Sequence, residues 1–348
     1  MIKFFRKIRQ KLLSENKFSK YLLYAIGEII LVVIGIMIAL QFNNRNEQRK
    51  HVQVINETIT AIEEDLVYNF KNTTRTLEFY KIQDNIQKKV LYKQYTIDDY
   101  RANDLISTVT ANWRVHSPKT ENIEALLNKE EYASKEFMPI IDAVKLLVTR
   151  KNFADQAWET LYSNLDKNVE ILTQQVSMVK LDSVSFEQRC NYMLNNTEYQ
   201  KIVELNWVRT QEYYDLLSRF RVQNVALLST IKMVRENYGC QELARLYNSL
   251  GMKPFKEVDC KTQNITNNNE LRRGYLIGNL SDKEITIKVM NAGKVGDSKT
   301  LNPNEFSDTR PEYAGLNGDY TIIIEQIDEN DTCINKYIAV NKGYLLIE

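Results

Sequence analysis

The sequence predicts a membrane-anchored α+β protein: an N-terminal single transmembrane helix, an extracytoplasmic all-α helical bundle, and a small C-terminal antiparallel β-sandwich or barrel. Three observations carry that expectation. Residues 21–40 form an apolar run with one charge, Glu28. Between Gly35 and Gly239 there is no glycine, and only Pro118 and Pro139 interrupt a stretch of long charged and apolar side chains, the composition of helices. After about residue 262, Gly, Asn and Pro return and separate short β-rich runs. The expected boundaries are a basic cytoplasmic segment at 1–20, the span at 21–40, a helical domain at 41–261, a linker at 262–270 and a β domain at 271–348.

The 348 residues carry 46 Lys+Arg against 45 Asp+Glu. That balance is uneven along the chain. Residues 1–40 hold seven basic residues (Lys3, Arg6, Lys7, Arg9, Lys11, Lys17, Lys20) and two acidic ones (Glu15, Glu28), leaving 39 basic and 43 acidic residues for the rest. A body that is slightly acidic lacks the cationic face needed for nucleic acid, so no nucleic-acid partner is expected.

The run Tyr21 to Leu40 contains twelve Leu, Ile and Val residues, and as a helix of this length it rises about 30 Å, the thickness of a bilayer's hydrocarbon core. Those side chains, at roughly −0.3 to −0.6 kcal/mol each, offset the roughly +3 kcal/mol of one carboxylate. The segment IALQFNNRNE offers no small-x-small cleavage site, so an uncleaved anchor is expected. Basic residues before the span outnumber Arg45, Arg49 and Lys50 after it. This places the amino terminus in the cytoplasm and the bulk in the periplasm of an inner membrane. Glu28 shares a helix face with Gly35 and Ala39, seven and eleven residues on. These three are the candidate intramembrane partner site, where small residues let a second helix approach; the alternative is that Glu28 is simply protonated or reached by water near the cytoplasmic interface.

The opening MIKFFRKIRQKLLSENKFSKYLLYAIGEIILVVIGIMIALQFNN resembles the amino-terminal signature of a large family of Gram-negative bacterial single-span membrane proteins, a domain of unknown function. Members commonly carry Ile-Asn-Asn-Trp-Asn-Glu after the span. Here the residues are Phe42, Asn43, Asn44, Arg45, Asn46 and Glu47, with Arg45 in the place of Trp. Ala157-Trp158-Glu159-Thr160-Leu161 is similar to a second, looser pattern of that family. The resemblance implies a membrane location and no particular activity.

Beyond the span, Val52, Ile55, Ile59, Ile62 and Leu66 alternate steps of three and four, and Phe70, Thr73, Leu77 and Tyr80 continue them. This pattern fits either a helix packed inside its own bundle or a homo-oligomeric coiled coil through 52–80. Ser117-Pro118 reads as a helix start, and Asn152 with Asp155 as a second. From there Phe153, Ala157, Leu161, Leu165, Val169, Leu172, Val176 and Val179 trace one helical face. Ile202, Leu205, Leu216, Phe220, Leu227, Ile231 and Val234 trace another, with Gly239 as its C-cap. With helices near 121–148 and 241–250, these close a bundle of about four to six helices. Trp113, Trp158, Trp207, Tyr213 and Tyr214 read as core or rim positions rather than a ligand box.

The cysteines Cys190, Cys240, Cys260 and Cys333 have no metal-ligand spacing. Cys240 and Cys260 are the candidate disulfide, closing a loop of about 20 residues worth about 3 kcal/mol; free buried thiols are the alternative. Only His51 and His116 are present, and HExxH, P-loop, GxGxxG and GxSxG motifs are missing from the sequence. Glu63, Glu64 and Asp65 read as a solvated face. No enzyme, cofactor or metal is therefore expected. The function expected is that of an envelope binding or scaffold component with the lipid bilayer and another envelope protein as partners. The alternative is a periplasmic sensor or transducer acting through a membrane partner via the Glu28 helix.

Overall fold

The computed structural model describes residues 18–178, 182–262, 275–291, 294–309, 322–340 and 342–348. The basic segment 1–17 and residues 263–270 of the expected linker lie outside them, as do most of the turns expected between 310 and 321. The chain forms two compact units, one of residues up to Glu57 with Glu131–Ser134, the other of Thr58–Glu130 with Lys135–Glu348. In the first, the apolar stretch belongs to helix α1 (Phe18–Leu91). The His51 ring there stacks on Tyr132 with centroids 4.1 Å apart.

The second unit is built on three long helices: α1 from Thr58 onward, α5 (Met138–Gln175) and α7 (Thr197–Glu236). The seam Ile59, Ile62, Leu66, Phe70, Thr73, Leu77 and Tyr80 is buried within the chain. Leu77 and Tyr80 pack with Ala157, Leu161 and Leu165 of α5 and Tyr213 and Leu217 of α7. The seam thus closes the protein's own bundle, and that face has no apolar surface left to pair two copies through 52–80.

Helix boundaries differ from the sequence signals in three places. α5 opens at Met138 with Pro139 in its first turn, so Asn152 lies mid-helix. Ser117-Pro118 starts no helix, and the next one, α4 (Glu121–Leu127), begins after Thr120. α7 ends on Asn237 in the left-handed conformation (φ 55°), and Gly239 instead precedes α8 (Cys240–Ser249), where Glu242 accepts from its backbone N–H at 3.2 Å. Asparagine tolerates that conformation because its short polar side chain bonds locally. The short helices α2 (Ile97–Ala102), α3 (Asp104–Ser107) and α6 (Ser183–Asn195) pack with the end of α1 around Val90, Val109, Cys190 and Tyr199.

Two sheets follow, with strands β1 (Lys253–Pro254), β2 (Lys256–Val258), β3 (Tyr275–Asn279), β4 (Ile285–Asn291), β5 (Lys294–Leu301), β6 (Phe306–Thr309), β7 (Ile322–Ile327), β8 (Cys333–Ile338) and β9 (Gly343–Ile347). Their orders are β1-β9-β3-β6 and β2-β8-β7-β4-β5. Ile277, Ile287, Leu301, Ile324, Ala339, Leu345 and Ile347 from both sheets share one core, the arrangement of a two-layer sandwich. The expectation of a purely antiparallel fold is corrected: β9 runs parallel to both β1 and β3. Turn spacing reports only on strands consecutive in sequence, whereas β9 inserts between two strands that are not its chain neighbours.

The boundary expected at 262–270 also falls inside this body. β1 and β2 precede it, yet they pair with β9 and β8, which follow it. Phe70 of α1, Val222, Val225 and Ala226 of α7 and Leu243 and Tyr247 of α8 pack directly on Leu276 and Tyr344 of the sheets. Asp308 of β6 is bound by Arg150 of α5 at 2.9 Å and by Arg219 of α7 at 3.0 Å. Gly343 is required where β9 begins, because an added Cβ would stand 2.5 Å from both the Phe255 ring and the Val340 carbonyl. The glycine thus permits a close approach of backbone and ring.

Candidate functional site

The segment 108–120 is the least regular part of the helical body, and α1 is built to hold it. Asn69 grips the Lys119 backbone from both sides, donating to its carbonyl at 2.9 Å and accepting from its N–H at 2.8 Å. One turn along, Asn72 donates to the Ser117 carbonyl at 3.0 Å. The Tyr80 hydroxyl donates to the Arg114 carbonyl at 2.9 Å and accepts from the Arg114 N–H at 3.2 Å. Asn168 of α5 and Asn206 of α7 donate to the carbonyls of Thr110 and Val109, at 3.1 and 3.4 Å. A segment with no helix or sheet ladder must find partners for its peptide groups elsewhere. This explains why asparagine, threonine and tyrosine occupy buried bundle positions where apolar residues would be expected.

His116 is the inward anchor of this strap. Its Nε2 lies 2.8 Å from the Thr73 hydroxyl, whose own proton goes to the Asn69 carbonyl at 2.6 Å. A hydroxyl has one proton, so the imidazole must donate, and the neutral tautomer carries its hydrogen on Nε2. Phe220 of α7 meets the ring edge-on, with centroids 5.1 Å apart. Burial, then the Lys151 charge, lowers its pKa from 6.5 to about 4. Burial also pushes up the hydroxyls of Tyr80 and Tyr213.

Asp84 is a second anchor in the same body, accepting from Trp207 Nε1 at 2.9 Å and Gln211 Nε2 at 2.8 Å, with Lys88 at 3.7 Å. Trp207 is therefore a core residue, as expected, and so is Tyr213. The acidic trio is not uniformly solvated. Asp65 is buried and accepts from Asn122 at 2.7 Å, while Glu63 binds Lys232 at 2.6 Å and Arg235 at 2.7 Å.

The predicted disulfide is corrected. Cys260 bonds Cys333, with Cα atoms 6.0 Å apart, and Cys190 and Cys240 are free thiols. The register decides this: β2 pairs antiparallel with β8 through Val258 and Lys336, so two residues further on Cys260 comes level with the start of β8. Cys240 begins α8 instead, where burial and then Glu348 raise its pKa to about 11. The thiol stays protonated and unreactive at neutral pH.

Glu28 is partly exposed, Ala39 is exposed, and a Cβ on Gly35 would meet nothing within 4 Å. Among the described residues no group of three or more His, Cys, Asp or Glu could hold a metal ion. No protein family's profile matches the chain, and no curated protein or solved structure shows significant similarity to it.

Proposed function

We propose that the protein is a single-span, N-in envelope component of the inner membrane, whose folded body lies in the periplasm and binds a partner without catalysis of its own. The observation that carries this reading is the exposure of α1's apolar stretch. Ile29, Leu31, Val33, Ile36 and Leu40 are each about half exposed or more, and none of the most apolar window is buried. In water, twelve such side chains between Leu22 and Leu40 would forgo roughly 1 kcal/mol each, as much as a domain's whole stability. A bilayer removes that cost. The opening residues' resemblance to the single-span family supports the same reading.

The orientation is tested by cysteine accessibility in a Cys240→Ser background. A membrane-impermeant maleimide applied to spheroplasts should label Glu329→Cys, which is exposed in the β7–β8 turn, and miss Ser14→Cys. Reversed labelling would overturn the orientation and the periplasmic location together.

The partner is another envelope protein that reaches the anchor through the face of Glu28, Gly35 and Ala39. Glu28→Gln should leave membrane insertion intact and reduce recovery of a crosslinked membrane partner. Equal recovery would assign Glu28 no part in pairing.

A further inference from the structure

Arg221 of α7 is a buried charge without a partner. The residue is 7% exposed, and among the described residues its guanidinium makes no hydrogen bond and no ion pair. Arg150 and Arg219, by contrast, share Asp308, and Arg189 donates to the Met178 carbonyl at 2.7 Å. A carboxylate or an amine in such a position can shed its charge, but a guanidinium keeps its proton at neutral pH. Glu78 of α1 attracts Arg221 from beyond ion-pair distance; its own carboxylate is exposed and binds Lys342 at 3.0 Å.

A second orphan lies beside the first. Tyr275, at the start of β3, is 2% exposed, and its hydroxyl has no hydrogen-bond partner among the described residues. Its phenol and the guanidinium act on each other electrostatically. Register fixes the place: Leu276 pairs with Tyr344, so Tyr275 stands level with Gly343 and beside Lys342, where Glu78 arrives from α1. Two side chains, each more than nine-tenths buried, thus bring unmet donors to one end of the sheet, against α7.

We propose that Arg221 and Tyr275 form a binding site for the carboxylate of a small organic monoacid, held between α7 and the first residues of β3 and β9. The donors are the first argument. A guanidinium offers two parallel N–H groups to a planar carboxylate, and the phenol adds a third donor. Charge is the second. With Glu78 and Lys342 paired, Arg221 leaves one positive charge uncompensated. A monoanion balances it, water does not, and a phosphate dianion would put surplus negative charge near Glu78. Access is the third: at 7% exposure, the arginine admits a group of few atoms and not a peptide segment.

The test is thermal unfolding of the full chain in neutral detergent micelles at neutral pH, followed by helical circular dichroism, with sodium acetate replacing sodium chloride at constant ionic strength. The wild-type midpoint should rise with acetate above about 5 mM, the affinity of a single-group ligand. Arg221→Met has similar length and no charge. It should melt higher than the wild type in chloride, because the uncompensated charge is gone, and should lose the acetate response. Tyr275→Phe keeps the ring against Phe255 and should need about tenfold more acetate for the same rise. Phosphate at the same ionic strength should stabilise the wild type less than acetate does. Equal acetate responses in the wild type and Arg221→Met would overturn the proposal, as would an Arg221→Met protein that melts lower in chloride. An unchanged acetate requirement in Tyr275→Phe, or phosphate exceeding acetate, would overturn it equally.

Discussion

Acidification should loosen the helical body through His116, and the size of the effect follows from its surroundings. The neutral ring is enclosed by Thr73 on α1 and Phe220 on α7, with Lys151 of α5 disfavouring a second positive charge. Its folded pKa of about 4 lies below the ordinary 6.5, so between those values the unfolded chain binds a proton that the folded chain does not. Stability is therefore lost as pH falls, beginning near 6.5 and ending below about 4. The linkage amounts to about 2 kcal/mol at pH 5 and about 3 kcal/mol at its limit. His116→Gln keeps a donor for Thr73 but cannot titrate. Urea unfolding followed by helical circular dichroism at pH 7.5 and 5.0 should show the wild type losing about 2 kcal/mol more than the variant. At pH 7.5 the variant should be the less stable of the two by about 1 kcal/mol, through imperfect packing against Phe220. Equal pH dependence of the two proteins would refute the assignment of His116 as a buried neutral group.

Three further outcomes are expected. Cys333→Ser should cost up to about 4 kcal/mol, the chain entropy of opening a loop spanning 73 residues, and Cys240→Ser should cost under about 0.5 kcal/mol; non-reducing peptide mapping must recover the 260–333 pair. Gly343→Ala should lower the unfolding midpoint by about 1–3 kcal/mol of stability, since the new methyl displaces the Phe255 ring or β9 itself, and an unchanged midpoint would mean that β9 is free to shift. Removing Lys342 to Glu348 deletes the buried Tyr344, Leu345 and Ile347 and takes from β1 the strand it pairs with, β9. Limited proteolysis should then cut within the sheets and near α8, whereas a resistant helix–sheet body would show that β9 is dispensable.

Periodicity revealed the long helices because their core contacts repeat locally. Ile59 to Tyr80 on α1 and Ala157, Leu161, Leu165 and Leu172 on α5 are buried as their spacing indicates. It erred where the core is polar. On α5 the buried positions are Ala154 and Asn168, and the apolar Phe153 and Val169 beside them face outward, because Asn168 is needed for the Thr110 carbonyl. On α7 the residues Leu217, Ser218 and Phe220 to Ser229 are buried on every side, a central position that a one-faced pattern cannot express. The strap left one legible trace, the unexplained polar residues Asn69, Asn72 and Thr73 within an otherwise apolar repeat. The Cys260–Cys333 bond and the parallel course of β9 depend on pairings between distant residues, and local signals do not encode those.

The central place of β9 also imposes an order on biosynthesis. β1 waits for a partner that emerges only with Gly343, some 90 residues after Lys253, or roughly 5 to 20 s at ordinary rates of translation. α1 leaves the ribosome long before, while the sheets are still incomplete. Until then Leu276 and the α7 and α8 residues that Tyr344 covers remain open to water and to chaperones. Folding of the sheets therefore cannot finish before β9 has emerged, and a nascent chain stalled short of it would keep this adhesive apolar surface uncovered.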